Sequence, residues 1–174
     1  YEEKGYFFAK VEAILKSQKK NKVKITLNID EGDSVRVDSI RFKGNNSFSK
    51  RKLLRFMDIN EEGFFSYFTD SGIYTKEILQ SDLAKLESHY QKNGFIKVQI
   101  GQPIIKKDVN RNKLSIIIPI TEGKVFSIRK IRIVGGEKII PKSEIEKLLK
   151  MFEGDIFDRS VFRSDILNIR SRFS

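Results

Sequence analysis

Between Lys22 and Asp30 apolar and polar residues alternate: Val23, Ile25, Leu27 and Ile29 against Lys22, Lys24, Thr26 and Asn28. Successive side chains of a strand point to opposite faces, so this spacing predicts a strand with one buried face. The alternation returns at Leu114, Ile116, Ile118 and Ile120. An extended stretch precedes each: Phe7, Ala9, Val11 and Ala13 in one case, Ile96, Val98 and Ile100 in the other. Polar links, 17–21 and 106–112, divide the members of each pair, which predicts two antiparallel hairpins. A third extended run follows each hairpin, ending at Gly44 and at Gly135. Its apolar phase slips, from Val35 and Val37 to Ile40 and Phe42, and again from Phe126 and Ile128 to Ile131 and Ile133. A strand keeps a period of two, so the slip implies a bulge, or a linker that becomes strand near position 38.

Helical spacing comes next. Ser49 is placed to cap a helix with Leu53, Phe56 and Met57 on its inner side. In the later pass Pro141 sits near a helix start, where a missing N–H is harmless. Thr75 can cap a second helix. Leu79, Leu83, Leu86 and Tyr90 then form one stripe, and Asn93–Gly94 supplies the stop.

The same order of elements therefore runs twice. YEEKGYFFAKV (1–11) matches YQKNGFIKVQI (90–100), and KVKITLNIDEG (22–32) matches KLSIIIPITEG (113–123). SIRFKGNN (39–46) matches KIRIVGGE (130–137), and YTKEILQSDLAKLESHY (74–90) matches FDRSVFRSDILNIRSRF (157–173). Four matches in register define a duplicated unit, strand–helix–helix–strand–strand, closed by Glu-Gly. Glu31 and Glu122 read as turn chemistry at a strand end and not as catalytic acids, because the glycine that follows each permits the turn.

The 174 residues suit one large domain or two small ones; 39% are hydrophobic and 33% charged. That is too apolar for a disordered chain. No run approaches the roughly 18 apolar residues of a membrane helix, and the start has no signal-peptide core. Tyr1 in place of Met is expected of a processed chain or an excised fragment. Cysteine is absent, which removes disulfide and thiolate chemistry. The net charge of +11 favours acidic partners, anionic lipid or nucleic acid, but the bases are spread along the chain. His89 is the sole histidine and reads as a surface helix residue, with no ligand set for a metal. No Cys/His cluster, phosphate-binding glycine loop or Ser–His–acid set is present, so neither a cofactor nor an enzyme is expected.

Three marks carry a family resemblance. They are Tyr-x-x-x-Gly-[Tyr/Phe] after the second helix (Tyr90, Gly94, Phe95), Ile-x-Glu-Gly at the hairpin end (Ile120, Glu122, Gly123), and Ile-x-Phe-x-Gly-Asn in the opening strand (Ile40, Phe42, Gly44, Asn45). With the element order, they resemble POTRA domains, the modules that precede outer-membrane β-barrels of the BamA type. The resemblance implies an α+β fold of tandem β-α-α-β-β modules, each a three-stranded sheet with two helices on one face. It implies that 1–33 is the closing hairpin of one module, 34–123 a complete module, and 124–174 the strand and two helices of a truncated one. A long aromatic insert, EEGFFSYFTDSGIYTKE (61–77), stands where the later copy has EGDIFDRS, and it resembles the extra loop of the third module of that series. Two departures stand out. Pro119 lies inside a closing strand, which must be bulged or have a free N–H edge there, and Gly-Gly-Glu replaces Gly-Asn at 135–137.

The resemblance implies a periplasmic, non-catalytic role at the outer membrane. Its partners would be unfolded outer-membrane β-barrel proteins and accessory lipoproteins, with a C-terminal membrane β-barrel anchoring the full-length protein. An open sheet edge can add a visiting strand. The edge expected here is Phe95, Ile96, Lys97, Val98, Gln99 and Ile100, with the loop aromatics Phe64, Phe65, Tyr67 and Phe68 as a second contact. The alternatives are a POTRA array of a two-partner secretion system, or a basic KH-like nucleic-acid module. KH recognition needs a GXXG loop between its helices, whereas this chain has NEEGFFSY there, so no nucleic-acid partner is expected. Finally, a hairpin without helices at one end and helices without a hairpin at the other would pair head to tail between copies.

Overall fold

The computed structural model describes residues 9–18, 22–32, 36–61, 74–111, 113–136 and 138–173. Strands β1 (Lys10–Gln18) and β2 (Lys22–Asp30) form an antiparallel hairpin, paired from Lys10–Asp30 to Gln18–Lys22. The hairpin was expected; its buried face is not found. Every residue of β2 is exposed, Ile25 at 63% and Leu27 at 58%. The physical reason is that the sheet has two strands, and no described helix packs on it.

The main sheet is built on β6 (Lys113–Thr121). Its alternation is realised: Leu114, Ile116, Ile118 and Ile120 are all buried. Strand β3 (Arg36–Lys43) lies parallel to β6 on one side. On the other side β4 (Gln99–Ile100) and β5 (Ile104–Asp108) run antiparallel to β6 as one interrupted strand, so the sheet is three strands wide. Strand β5 runs on to Asp108, which shortens the expected polar link to 109–112. The phase slip in β3 is a bulge: its register with β6 shifts between Val37 and Ser39, leaving both Val37 and Ile40 fully buried.

Helix α1 (Lys50–Leu54) is capped by Ser49, whose side chain accepts the Lys52 N–H. Helix α2 (Lys76–Lys92) is capped by Thr75 accepting from Ile78, and Gly94 follows its C-cap with φ 85°. Leu53, Met57, Leu79, Leu86 and Tyr90 bury against the sheet in one core, with Leu83 partly buried beside them. Each such side chain contributes roughly 1.5–3 kcal/mol when taken from water, so this cluster holds the unit together. Phe56, expected inward, is 36% exposed and stacks on His89 at 4.0 Å between ring centroids. His89 is correspondingly not a plain surface residue, because it also tilts against Phe48 at 4.7 Å.

A second unit follows, with α3 (Lys142–Leu148), entered from Pro141, and α4 (Arg159–Phe173). The extended run expected over 126–133 makes no ladder. It has a single bridge, Ser127 to Ile156, and Ile128 exchanges bonds with Asp155 and Gly154 of the neighbouring turn. No described strand lies beside it to complete a sheet.

Candidate partner-binding edge and groove

The interrupted strand β4/β5 borders the main sheet. Its inner side pairs with β6, and among the described residues no further strand pairs with its outer side. The interruption has a local cause. Ile100 pairs with Ile120 and Ile104 with Ile117, so three residues, 101–103, face two on β6. Pro119 sits opposite this gap. Its carbonyl accepts the Gly101 N–H at 2.8 Å, and its missing N–H would point to the same side. A Cβ on Gly101 would come 2.9 Å from the proline ring, so glycine is needed at the crossing. The bulge foreseen at Pro119 is therefore carried by its partner strand, while β6 itself runs unbroken.

Between this border and α2 lies a groove of about 560 Å³, lined by Tyr74, Leu79, Leu83, Ile100, Pro103 and Ile105 among others. Its floor is apolar, and Lys76 and Lys107 stand on its walls. An extended backbone laid along β4/β5 would meet main-chain groups on one side and this groove on the other.

The expected edge residues separate. Gln99 and Ile100 are on the border strand. Phe95 and Val98 are not: both are buried in the core, and Ile96 and Lys97 form the turn between them. The Ile96 N–H donates to Gly94 and the Val98 N–H to Phe95, a chain reversal forced by the helix stop. Lys97 lies over the Phe126 ring at 5.7 Å and so reaches the second unit, not the border. Phe64, Phe65, Tyr67 and Phe68 lie outside the described residues.

The opposite border, β3, is different. The Ile40 N–H donates to Glu61 Oε1 at 2.6 Å, and Lys50 Nζ holds the same oxygen at 2.6 Å. In the second unit the Ile131 N–H donates to Glu153 Oε1 at 2.9 Å.

The three sequence marks meet away from both borders. Glu122, nearly buried, accepts the Ser47 N–H and hydroxyl and the Tyr90 hydroxyl, the last at 2.9 Å. Burial, and then the bond to Glu122, push the Tyr90 phenol well above its ordinary value. Gly44 brings the start of the β3–α1 loop against the Ile120 carbonyl. These marks tie the loop, α2 and β6 together.

A family model described as POTRA, surface antigen variable number repeat, matches residues 35–123 and again 126–174. The chain belongs to the POTRA family. Its modules are those of the BamA group. The outer membrane protein assembly factor BamA of Neisseria meningitidis is 33% identical over 153 residues, covering 88% of this chain and 19% of that protein. A BamA from Nitratidesulfovibrio vulgaris is 23% identical, covering 96% of this chain and 21% of its own. The chain thus spans about a fifth of the length of these relatives. Among solved structures, POTRA domains 3–5 of Haemophilus influenzae BamA align with a TM-score of 0.56 at 15% identity, covering 98% of this chain and 64% of that one. That likeness speaks for the POTRA fold.

Two pairs of POTRA residues escaped the sequence reading. Asp82 and Asp165 are buried carboxylates at the same register of the repeat. Asp82 accepts the N–H groups of Asp58 and Ile59, and Asp165 those of Lys150 and Met151. The signal was present, since Asp82 falls between Leu79 and Leu86 on the apolar stripe. Glu61 and Glu153 open the two inter-helix segments, but nothing in their spacing says which N–H they reach.

Proposed function

We propose that this chain is a non-enzymatic periplasmic part of the outer-membrane β-barrel assembly machinery, which binds unfolded outer-membrane proteins by adding their strands to β4/β5. In this reading 1–33 closes one module, 34–123 is complete, and 124–174 opens the next. Accessory lipoproteins are further partners, and the full-length protein is held at the outer membrane by a C-terminal β-barrel. The kinship with assembly factors supports the setting. The observation that carries the binding mode is the border strand, with its outer side unpaired among the described residues, running beside an apolar groove.

Strand addition suits this client class. Main-chain bonds demand little of sequence, and the groove accepts alternate apolar side chains. Each bond nets roughly 0.5–1.5 kcal/mol. Four or five give a few kcal/mol, against an association penalty of at least about 4 kcal/mol. One border alone therefore grips weakly and releases quickly, as a handling module must.

Backbone-resolved NMR titration with a short β-signal peptide tests the reading. Shifts should concentrate at 99–108 and on the groove wall of α2. Shifts confined to β1–β2 or to 124–173 would overturn it.

A further inference from the structure

The main sheet has two borders, and a module that receives strands at one of them gains nothing from a second, unregulated one. An unguarded border also invites pairing between copies. Strand β3 pairs with β6 on its inner side. The Ile40 N–H is directed elsewhere, to Glu61 Oε1. It therefore stands on the outer border, where an incoming strand would place a carbonyl. Glu61 occupies that position with a carboxylate, and Lys50 from the start of α1 fixes its orientation. A charge set at a strand's margin resists pairing in two ways. It satisfies the donor, and a guest strand must strip it of its partners before docking.

The arrangement occurs twice. Ile40 and Ile131 occupy the same place in SIRFKGNN and KIRIVGGE, and Glu61 and Glu153 occupy the same place at the start of the inter-helix segment. Ile131 donates to Glu153 although its run forms no ladder. The bond thus persists without sheet pairing, as a built-in feature of the unit. A turn stabiliser could in principle reach any nearby N–H; in both copies the carboxylate reaches the same position of the repeat, Ile40 on β3 and Ile131 in the corresponding run.

We propose that Glu61 is an edge guard, a carboxylate that closes the β3 border against strand addition and leaves β4/β5 as the receiving side, and that Glu153 holds the corresponding N–H of the second unit in the same way. This rests on the strand-addition reading above, but its test is separate. The experiment uses the 1–174 chain, wild type and Glu61→Ala, with Glu61→Gln as the variant that keeps an acceptor oxygen. Amide exchange and the short β-signal peptide titration are read residue by residue. In Glu61→Ala the Ile40 amide should exchange roughly tenfold faster, and the peptide should shift 36–43 as well as 99–108. Glu61→Gln, which keeps the acceptor but not the charge, should hold Ile40 protection near wild type and shift 36–43 less than Glu61→Ala does. If Glu61→Ala loses Ile40 protection yet the peptide leaves 36–43 untouched, the carboxylate is a local stabiliser and the guard is overturned. Wild-type shifts missing at 99–108 would sink the proposed function alone, since new shifts at 36–43 in Glu61→Ala would still uphold the guard. Glu153→Ala, read as faster exchange at Ile131, checks that the corresponding bond is made in a unit that does not share the main core; unchanged exchange there would remove the repeat from the argument.

Discussion

Gly44 has a φ of 89°, and a Cβ there would lie 2.2 Å from the Ile120 carbonyl oxygen. Gly135 has a similar φ of 80° with nothing within 4 Å. The pair separates backbone strain from collision. Gly135→Ala should cost about 1 kcal/mol from the left-handed backbone alone. Gly44→Ala should cost more than about 2 kcal/mol, because the carbonyl it meets is main chain of the central strand β6, which is paired with β4 at that residue and cannot swing aside as a side chain would. Urea midpoints of the two variants check the difference. His89 gives a pH prediction. Burial, then the charges of Lys52 and Lys92, hold its imidazole below its ordinary value. Folding favours the neutral ring, so the stability it lends is complete above about pH 6.5 and drains away as pH falls through the depressed value. Its Nε2 is buried without a partner among the described residues, so protonation there gains no bond. His89→Phe keeps the stacking on Phe56 and should flatten the fall in urea midpoint between neutral and mildly acidic pH. An unchanged slope would put the acid sensitivity elsewhere. At this scale the sequence spoke unevenly. Caps and glycines act through neighbours close in the chain, so Ser49, Thr75 and Gly94 were legible. His89 meets Phe48 and Phe56 across a tertiary contact, which spacing does not encode.

Among the elements, the carboxylates on α2 and α4 show how the helix pair is fastened. Asp82 binds two successive N–H groups at the exit of α1, and Lys85 bridges it to Asp58. Asp82→Ala should leave both donors without their acceptor, the Ile59 N–H in a buried place, at about 1–3 kcal/mol, with wild-type-like secondary structure by circular dichroism. Asp165 has one oxygen without a partner among the described residues, so Asp165→Asn should be tolerated better than Asp82→Asn, as chemical denaturation of the two would reveal. Strands that pair on both sides were read well: the stripe Leu114–Ile120 sits at the centre of the sheet, where burial enforces period two. The border strand was read four residues too early. Ile96, Val98 and Ile100 alternate by accident, while Phe95 and Val98 are spaced for a turn beneath Tyr90. The β1–β2 alternation gave the pairing correctly and the burial wrongly, because a face is buried only when something packs on it.

For the molecule as a whole, two apolar surfaces stand out as uncovered among the described residues. One is the β1–β2 hairpin, the other the cleft of the second unit, lined by Ile131, Ile133, Leu149, Phe157, Phe162 and Ile166 among others. If 1–33 closes one repeat and 124–174 opens another, as proposed above, the two surfaces are complementary, and the prediction is that the hairpin of a second copy occupies that cleft. Sedentary monomer mass across a wide concentration range would reject this; a mass that climbs with concentration and drops in Ile25→Asp is expected. The two units also touch directly. Phe126 donates to the Gly94 carbonyl at 2.9 Å, and Arg159 Nη1 donates to Gln91 Oε1 at 2.9 Å. A Cβ on Gly94 would strike Val125 and Ile156 at 2.8 Å. Only Glu122–Val125 intervene between the end of β6 and this contact. The joint is thus geared and not slack: the helix whose flank walls the groove ends in the very peptide that the next bead grips. A side chain at position 94 would therefore disturb two things at once, the stop of that helix and the seat of Val125 and Ile156 against it.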